Sequence, residues 1–193
     1  MRVAWCSWVI PCKEQVMCVA SNPSPWQVSH LSNTLVLGST MREATLFRSS
    51  SVLWAIWGAV HIFFGVFLLY LLQSGRVGEA FHAIAGQAEL STFILDYPYG
   101  AAAVLKQHSY NLVWFGLVTL IGSVWIWRRS VQGAVLCAIV GGLADLGYFI
   151  FIDLGGLAVF PGPQMTWIAA AAIGLSGYAV FLGRSLDTET HRA

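Results

Sequence analysis

Two residues of this sequence stand where ionisable side chains are expensive. His61 lies within the apolar run VLWAIWGAVHIFFGVFLLYLL, and Asp145 within GAVLCAIVGGLADLGYFIFI. An ionisable group inside a stretch long enough to cross a bilayer is a candidate for function by default. Counted from one and the same membrane side, His61 sits about nine residues deep and Asp145 about twelve, roughly 14 and 18 Å at 1.5 Å per residue. The two are therefore at similar depth, and a hydrogen bond between them would lower the cost of both. Such a pair has two uses. It can act as a polar clasp that fixes which helices pack together. It can also carry a proton, the carboxylate holding the imidazole in one tautomer, as the acid–base pair of a membrane-embedded enzyme.

A second polar set belongs nearer the opposite surface. Gln107, His108 and Asn111 open one apolar run and Asp153 closes another, while His82 and Glu89 sit seven apart in the stretch between. The bland reading of this set is a wet interface. The functional one is an outward-opening cavity lined by His82, Glu89, His108, Asn111 and Asp153, with His61 and Asp145 at its floor. Glu79 and His82 have the Glu-x-x-His spacing of di-iron bundles, but one copy lacks the facing carboxylates such a centre needs. No metal or other cofactor is expected. Bis-histidine haem needs ligands at matching depth, and His61 in mid-bilayer with His108 at the surface does not supply them. No Gly-rich run leads into Lys and Ser or Thr, so a phosphate-binding loop is absent.

These residues need long apolar elements to hold them. Only 10% of the 193 residues are Asp, Glu, Lys or Arg, against 57% apolar ones, and ordinary soluble domains are about a quarter charged. So few charges could not cover a soluble domain of this size. They equally exclude a disordered chain, which combines low hydrophobicity with high net charge. A formal net charge of +1 argues against a nucleic-acid partner, which calls for a basic patch. Four runs reach the length of about 20 residues that a hydrocarbon core requires: residues 52–72, 111–127, 133–152 and 165–183. Each is apolar nearly all round, as spans are.

Lys and Arg in the flanks set the orientation. Arg42, Arg48, Arg128, Arg129, Arg184 and Arg192 fall on one side, and only Arg76 and Lys106 on the other. The first side is expected to be cytoplasmic, with both termini on it. Trp54, Trp57, Trp125 and Trp127 are expected at the inner interface, and Tyr70, Tyr110, Phe160 and Trp167 at the outer one. Between the first two runs, Ala80 to Leu95 shows helical periodicity with Phe81, Ile84, Ala88 and Leu95 on one face. It reads as an amphipathic helix on the outer face of the bundle, closed by Asp96, Pro98 and Gly100. Small residues at Ala134, Ala138 and Gly142, and at Ala170 and Gly174, suit close helix packing.

Residues 1–40 differ in character and read as a disordered or mis-assigned extension of a single membrane domain at 41–193. Cys6, Cys12 and Cys18 are spaced by six, which fits neither tight metal chelation nor a thiol–disulfide pair. Met41-Arg-Glu looks like a natural start for a chain whose first span begins near Val52.

The stretch from His108 to Ser176, with its WIWRR turn, DLGYFIFIDLGG and FPGP, together with the histidine in the first span, resembles small four-span bacterial membrane proteins of uncharacterised function. The resemblance implies a four-span fold in a bacterial inner membrane and assigns no residue a role. The expectation is thus an all-α, four-helix transmembrane bundle with an extra amphipathic helix on its outer face. Its partners are the lipid bilayer and, in one form, a second copy or a partner membrane subunit. A non-enzymatic carrier, accessory or assembly subunit stands first, and an enzyme acting on a lipid-soluble substrate through His61 and Asp145 second.

Overall fold

A computed structural model describes the backbone of residues 25–93 and 99–190, and the side chains of 41–93 and 99–184. Cys6, Cys12, Cys18, Leu95, Asp96 and Pro98 lie outside the described residues. The chain divides into two compact units, Met1–Leu35 and Val36–Ala193, and all the spans belong to the second. Among the described residues there is helix and no strand. Four stretches are long and apolar enough to cross a bilayer: Met41–Gln73, Tyr99–Trp127, Val131–Asp153 and Gly162–Arg184. The chain forms an all-α bundle of these four spans, with a short helix, Val77–Ile84, after the first.

The second span begins twelve positions before Asn111, where the sequence reading starts it. Tyr99-Gly-Ala-Ala-Ala-Val-Leu is helix-forming, and the single charge at Lys106, on an exposed face, does not interrupt it.

The first and second spans pack backbone to backbone. A Cβ built on Gly58 would come within 2.7 Å of the Gly116 carbonyl oxygen, and one on Gly65 within 2.6 Å of the Ser109 oxygen. The seven-residue spacing, Gly58 to Gly65 against Ser109 to Gly116, places two glycine contacts on one seam, the small-residue packing that bilayers favour. Hydroxyls add cross-links. Ser50 donates to the Ala172 carbonyl at 2.8 Å and Ser51 to the Ser123 carbonyl at 2.7 Å. These bonds tie the first span to the fourth and the second.

A three-residue turn joins the second and third spans. Arg129 N–H donates to the Ile126 carbonyl (2.8 Å) and Ser130 N–H to that of Trp125 (3.0 Å). This is a Schellman closure, with Arg129 at φ 62° where glycine is usual. The Ser130 hydroxyl then caps the third span by accepting from Gly133 N–H at 3.3 Å. Gly133, Cys137 and Gly141 are the inward stripe of that span. The Cys137 thiol donates to the Thr119 carbonyl at 3.6 Å. Gly141 leaves room for the Trp54 ring.

Several placements differ from the sequence reading. Trp54 and Trp57 are wholly buried in the core with Phe47, Ile126, Met165 and Ala172. Gly141 makes space for the Trp54 ring and Asp145 accepts the Trp57 indole N–H, so neither joins an interfacial belt. On the fourth span Ala169, Ala172, Ser176 and Ala179 face inward, whereas Ala170 and Gly174 face outward. The helix expected over 80–95 stops at Ile84. Ala85 leaves helical geometry (φ −121°, ψ 56°), and Gln87 N–H donates instead to the Leu157 carbonyl at 3.1 Å. That bond ties the segment to the loop between the third and fourth spans, and a single 3₁₀ turn, Leu90–Phe93, follows. The short helix docks through Ala80 onto Leu68, Leu71, Leu72 and Leu105. Side chains on the outside of the spans are largely apolar, Phe63 and Phe151 being 70% and 75% exposed, as expected when lipid is the solvent.

Candidate functional site

The third span is irregular where it carries Asp145. It runs α-helical over Val131–Cys137, widens to a π turn over Ala138–Gly142, returns to α over Leu143–Tyr148, and widens again over Phe149–Asp153. π turns are rare and recur at functional sites. Asp145 is central in the α segment between them and is 5% exposed.

Three side chains meet there. The Trp57 indole Nε1–H donates to Asp145 Oδ2 at 2.6 Å. His61, one turn further along the first span, stacks its ring on that of Trp57, with centroids 3.5 Å apart and planes 19° from parallel. Its Nδ1 lies 2.9 Å from the Trp57 carbonyl oxygen. A carbonyl only accepts, so Nδ1 carries the hydrogen and Nε2 is turned to Asp145. Nε2 and Oδ1 are 3.8 Å apart, within ion-pair range and beyond hydrogen-bond range. A bare Nε2 lone pair and a carboxylate oxygen would repel at that distance. One shared proton, on either partner, removes the conflict and leaves the pair neutral, as the bilayer interior favours.

The pair opens onto a cavity of about 340 Å³, within the size range of small-molecule sites, ~300–1,000 Å³. Its walls come from all four spans, with Ala83 and Ile84 of the short helix and Val159 of the loop closing one side. Among the described residues the polar side chains on the wall are His61, His108, Asp145 and Tyr148; the remainder is apolar, and neither Lys nor Arg is present. His108 is exposed to the surroundings as well as to the cavity and so marks its mouth.

Of the residues picked out in the sequence, the structure brings His61, Asp145 and His108 together around this space. The other four lie off its wall. His82 hydrogen-bonds through Nδ1 to the Ala88 carbonyl at 3.1 Å, bracing the turn after the short helix. Glu89 is exposed and accepts from the Ser91 hydroxyl at 3.1 Å. Asn111 Oδ1 accepts from Trp114 Nε1 at 3.0 Å on its own helix. Asp153 ends the third span, with a buried Oδ1 that has no hydrogen-bond partner. Glu79 of the Glu-x-x-His pair faces Arg76, whose Nε donates to Oε1 at 2.7 Å and whose Nη2 meets Oε2. No group of three His, Cys, Asp or Glu side chains suited to a metal occurs among the described residues.

Sequence reasoning missed Trp57 and Tyr148. Trp57 stands four residues before His61 and Tyr148 three after Asp145. Both offsets put a side chain on the same helix face as its neighbour, and that was the available signal.

Comparison with protein-family models, curated proteins and solved structures finds no match for the chain. What stands on its own evidence is the class: four helices that by length and composition can cross a bilayer fit a multi-pass membrane protein.

Proposed function

We propose that this protein binds a lipid-soluble small molecule within the membrane, in the cavity floored by His61 and Asp145, and acts as its carrier or holder. The observation that carries the reading is the contrast between an apolar wall and one fixed polar end. An apolar pocket with a few convergent polar groups is the usual form of a small-molecule site. Trp57 supports it by orienting both polar residues from one position. Arg42, Arg48, Arg128, Arg129 and Arg184 at one end of the bundle, against Arg76 and Lys106 toward the other, support an orientation with residues 41 and 184 on the cytoplasmic side. The likeness to four-span bacterial proteins favours an inner membrane.

The test is native mass spectrometry of protein extracted gently from its own membrane. A stoichiometric small-molecule adduct is expected. It should be lost in Ala144→Trp, which fills the cavity wall, while circular dichroism retains the helical signal. No adduct, or one that survives the filled cavity, would overturn the reading.

One observation favours a second reading. A histidine and an aspartate 3.8 Å apart at the end of a substrate-sized cavity have the form of an acid–base pair. His61→Ala and Asp145→Asn distinguish the roles. A catalytic pair loses turnover while the bundle keeps its unfolding midpoint, and a clasp loses the midpoint.

A further inference from the structure

We infer that the molecule held in this cavity is an uncharged lipophile ending in a single hydroxyl, aliphatic or phenolic, seated between His61 Nε2 and Asp145 Oδ1. The inference rests on the binding function just proposed and names the class of ligand. Three observations converge on it.

The first is the gap. At 3.8 Å the two atoms are too far apart to bond each other, yet an oxygen about 2.8 Å from each closes a triangle with them. Nδ1 is already committed to the Trp57 carbonyl and Oδ2 to the Trp57 indole, so Nε2 and Oδ1 are the two atoms left to serve a ligand. Between them they hold one proton and one acceptor position. A hydroxyl, which donates once and accepts readily, satisfies both whichever partner holds the proton.

The second is charge. The described wall holds no Lys or Arg. A carboxylate or phosphate head would meet the Asp145 carboxyl with no fixed cation to offset it, in mid-bilayer where uncompensated charge is costly. A primary ammonium would displace the shared proton. It would also bring three N–H donors, all of which must be desolvated in a cavity that is largely apolar beyond its floor.

The third is shape. Away from the polar side chains, Val60, Phe64, Leu112, Phe115 and Met165 line the wall, a surface for hydrocarbon. Specificity then resides in the head, because a site built to hydrogen-bond a hydroxyl discriminates strongly against the analogue that lacks it.

The experiment uses the full chain in phospholipid nanodiscs. Saturable binding of tritiated dodecanol above that of empty nanodiscs is measured first. Displacement by unlabelled dodecanol, dodecane, dodecanoate and dodecylamine follows. Dodecanol is expected to compete at least about tenfold better than each of the other three. That preference over dodecane should collapse in His61→Gln and in Asp145→Asn, two near-isosteric changes that alter the proton arrangement while keeping the volume filled. Equal or better competition by the acid or the amine would overturn the hydroxyl assignment and leave the binding function standing. A preference for the alcohol that survives both substitutions would also overturn it, by placing the head elsewhere. Absence of saturable dodecanol binding would overturn the binding function itself, and the assignment with it.

Discussion

Trp57 meets both members of the pair through different parts of one residue. Its indole N–H reaches Asp145, its ring lies against that of His61, and its carbonyl takes the His61 Nδ1 hydrogen. The indole bond is the one whose removal costs most. Trp57→Phe keeps an aromatic face for the imidazole but leaves Asp145 Oδ2, buried, without its donor. A hydrogen bond to a charged or proton-sharing carboxyl contributes about 1.5–3 kcal/mol. The variant is expected to lose about that much in denaturant titration of the bundle in mixed micelles, and to weaken ligand retention in parallel. An unchanged midpoint would show that the indole N–H contributes nothing to holding the carboxyl. Asp145 and His61 were recognisable in the sequence because depth along a span is a count of residues. Trp57 was not, because a tryptophan toward one end of an apolar run has the same type and position as a membrane-interface residue. What decides that it is buried is the carboxyl of Asp145 and the core side chains supplied by other spans, which the residues around Trp57 do not record.

The same limit operates on whole elements. That a span exists follows from a run of apolar residues, so four spans could be read directly, although the second starts twelve residues before its apolar run does. Which face turns inward could not, because a helix that is apolar all round carries no rotational signal. Gly58 and Gly174 illustrate the point: both are glycines in spans, yet one abuts a neighbouring backbone and the other faces open space. Gly58→Val is expected to destabilise by at least about 1–3 kcal/mol through overpacking. Gly174→Ala should be neutral or raise stability by up to ~1 kcal/mol through helix propensity. Unfolding midpoints of the two variants, measured side by side, check the assignment of faces. The short helix was legible as a periodic segment and not in its length, since what ends it is a hydrogen bond to a loop some seventy residues away. Its first turn is clipped by Arg76 and Glu79, and the guanidinium holds the Glu79 carboxyl below the usual glutamate range. A depressed acid contributes stability above its ordinary value and loses it as pH falls through the depressed one. Amide protection factors in Val77–Ile84, taken relative to the intrinsic exchange rate at each pH, should therefore fall on acidification below the ordinary glutamate range, by a small factor, because both groups are exposed and screened by salt. Glu79→Gln should remove that pH dependence.

For the molecule as a whole, the described arginines other than Arg76 gather at one end, and the cavity runs from its mid-span floor to a capping helix and mouth toward the other. In the proposed orientation, cysteines placed one at a time at exposed Gln132 and Gln87, in a background with Cys6, Cys12 and Cys18 replaced by serine and only the buried Cys137 retained, should label oppositely. An impermeant maleimide added to intact cells should reach position 87 and not 132. The reverse pattern would invert the bundle and turn the cavity's mouth toward the cytoplasm. The two widened turns of the third span bear on ancestry in a way that apolar patterning does not. A π turn holds one residue more than the α turn it replaces, and removing one residue rotates everything beyond it by about 100°. Between Cys137 and Asp145 the chain thus carries an extra position whose loss would swing the carboxyl off the cavity and toward a neighbouring helix or the lipid. Among descendants of a common ancestor, chain length across this interval is a marker of the site: a kin sequence that keeps an aspartate there but is one residue shorter has the letter without the aim.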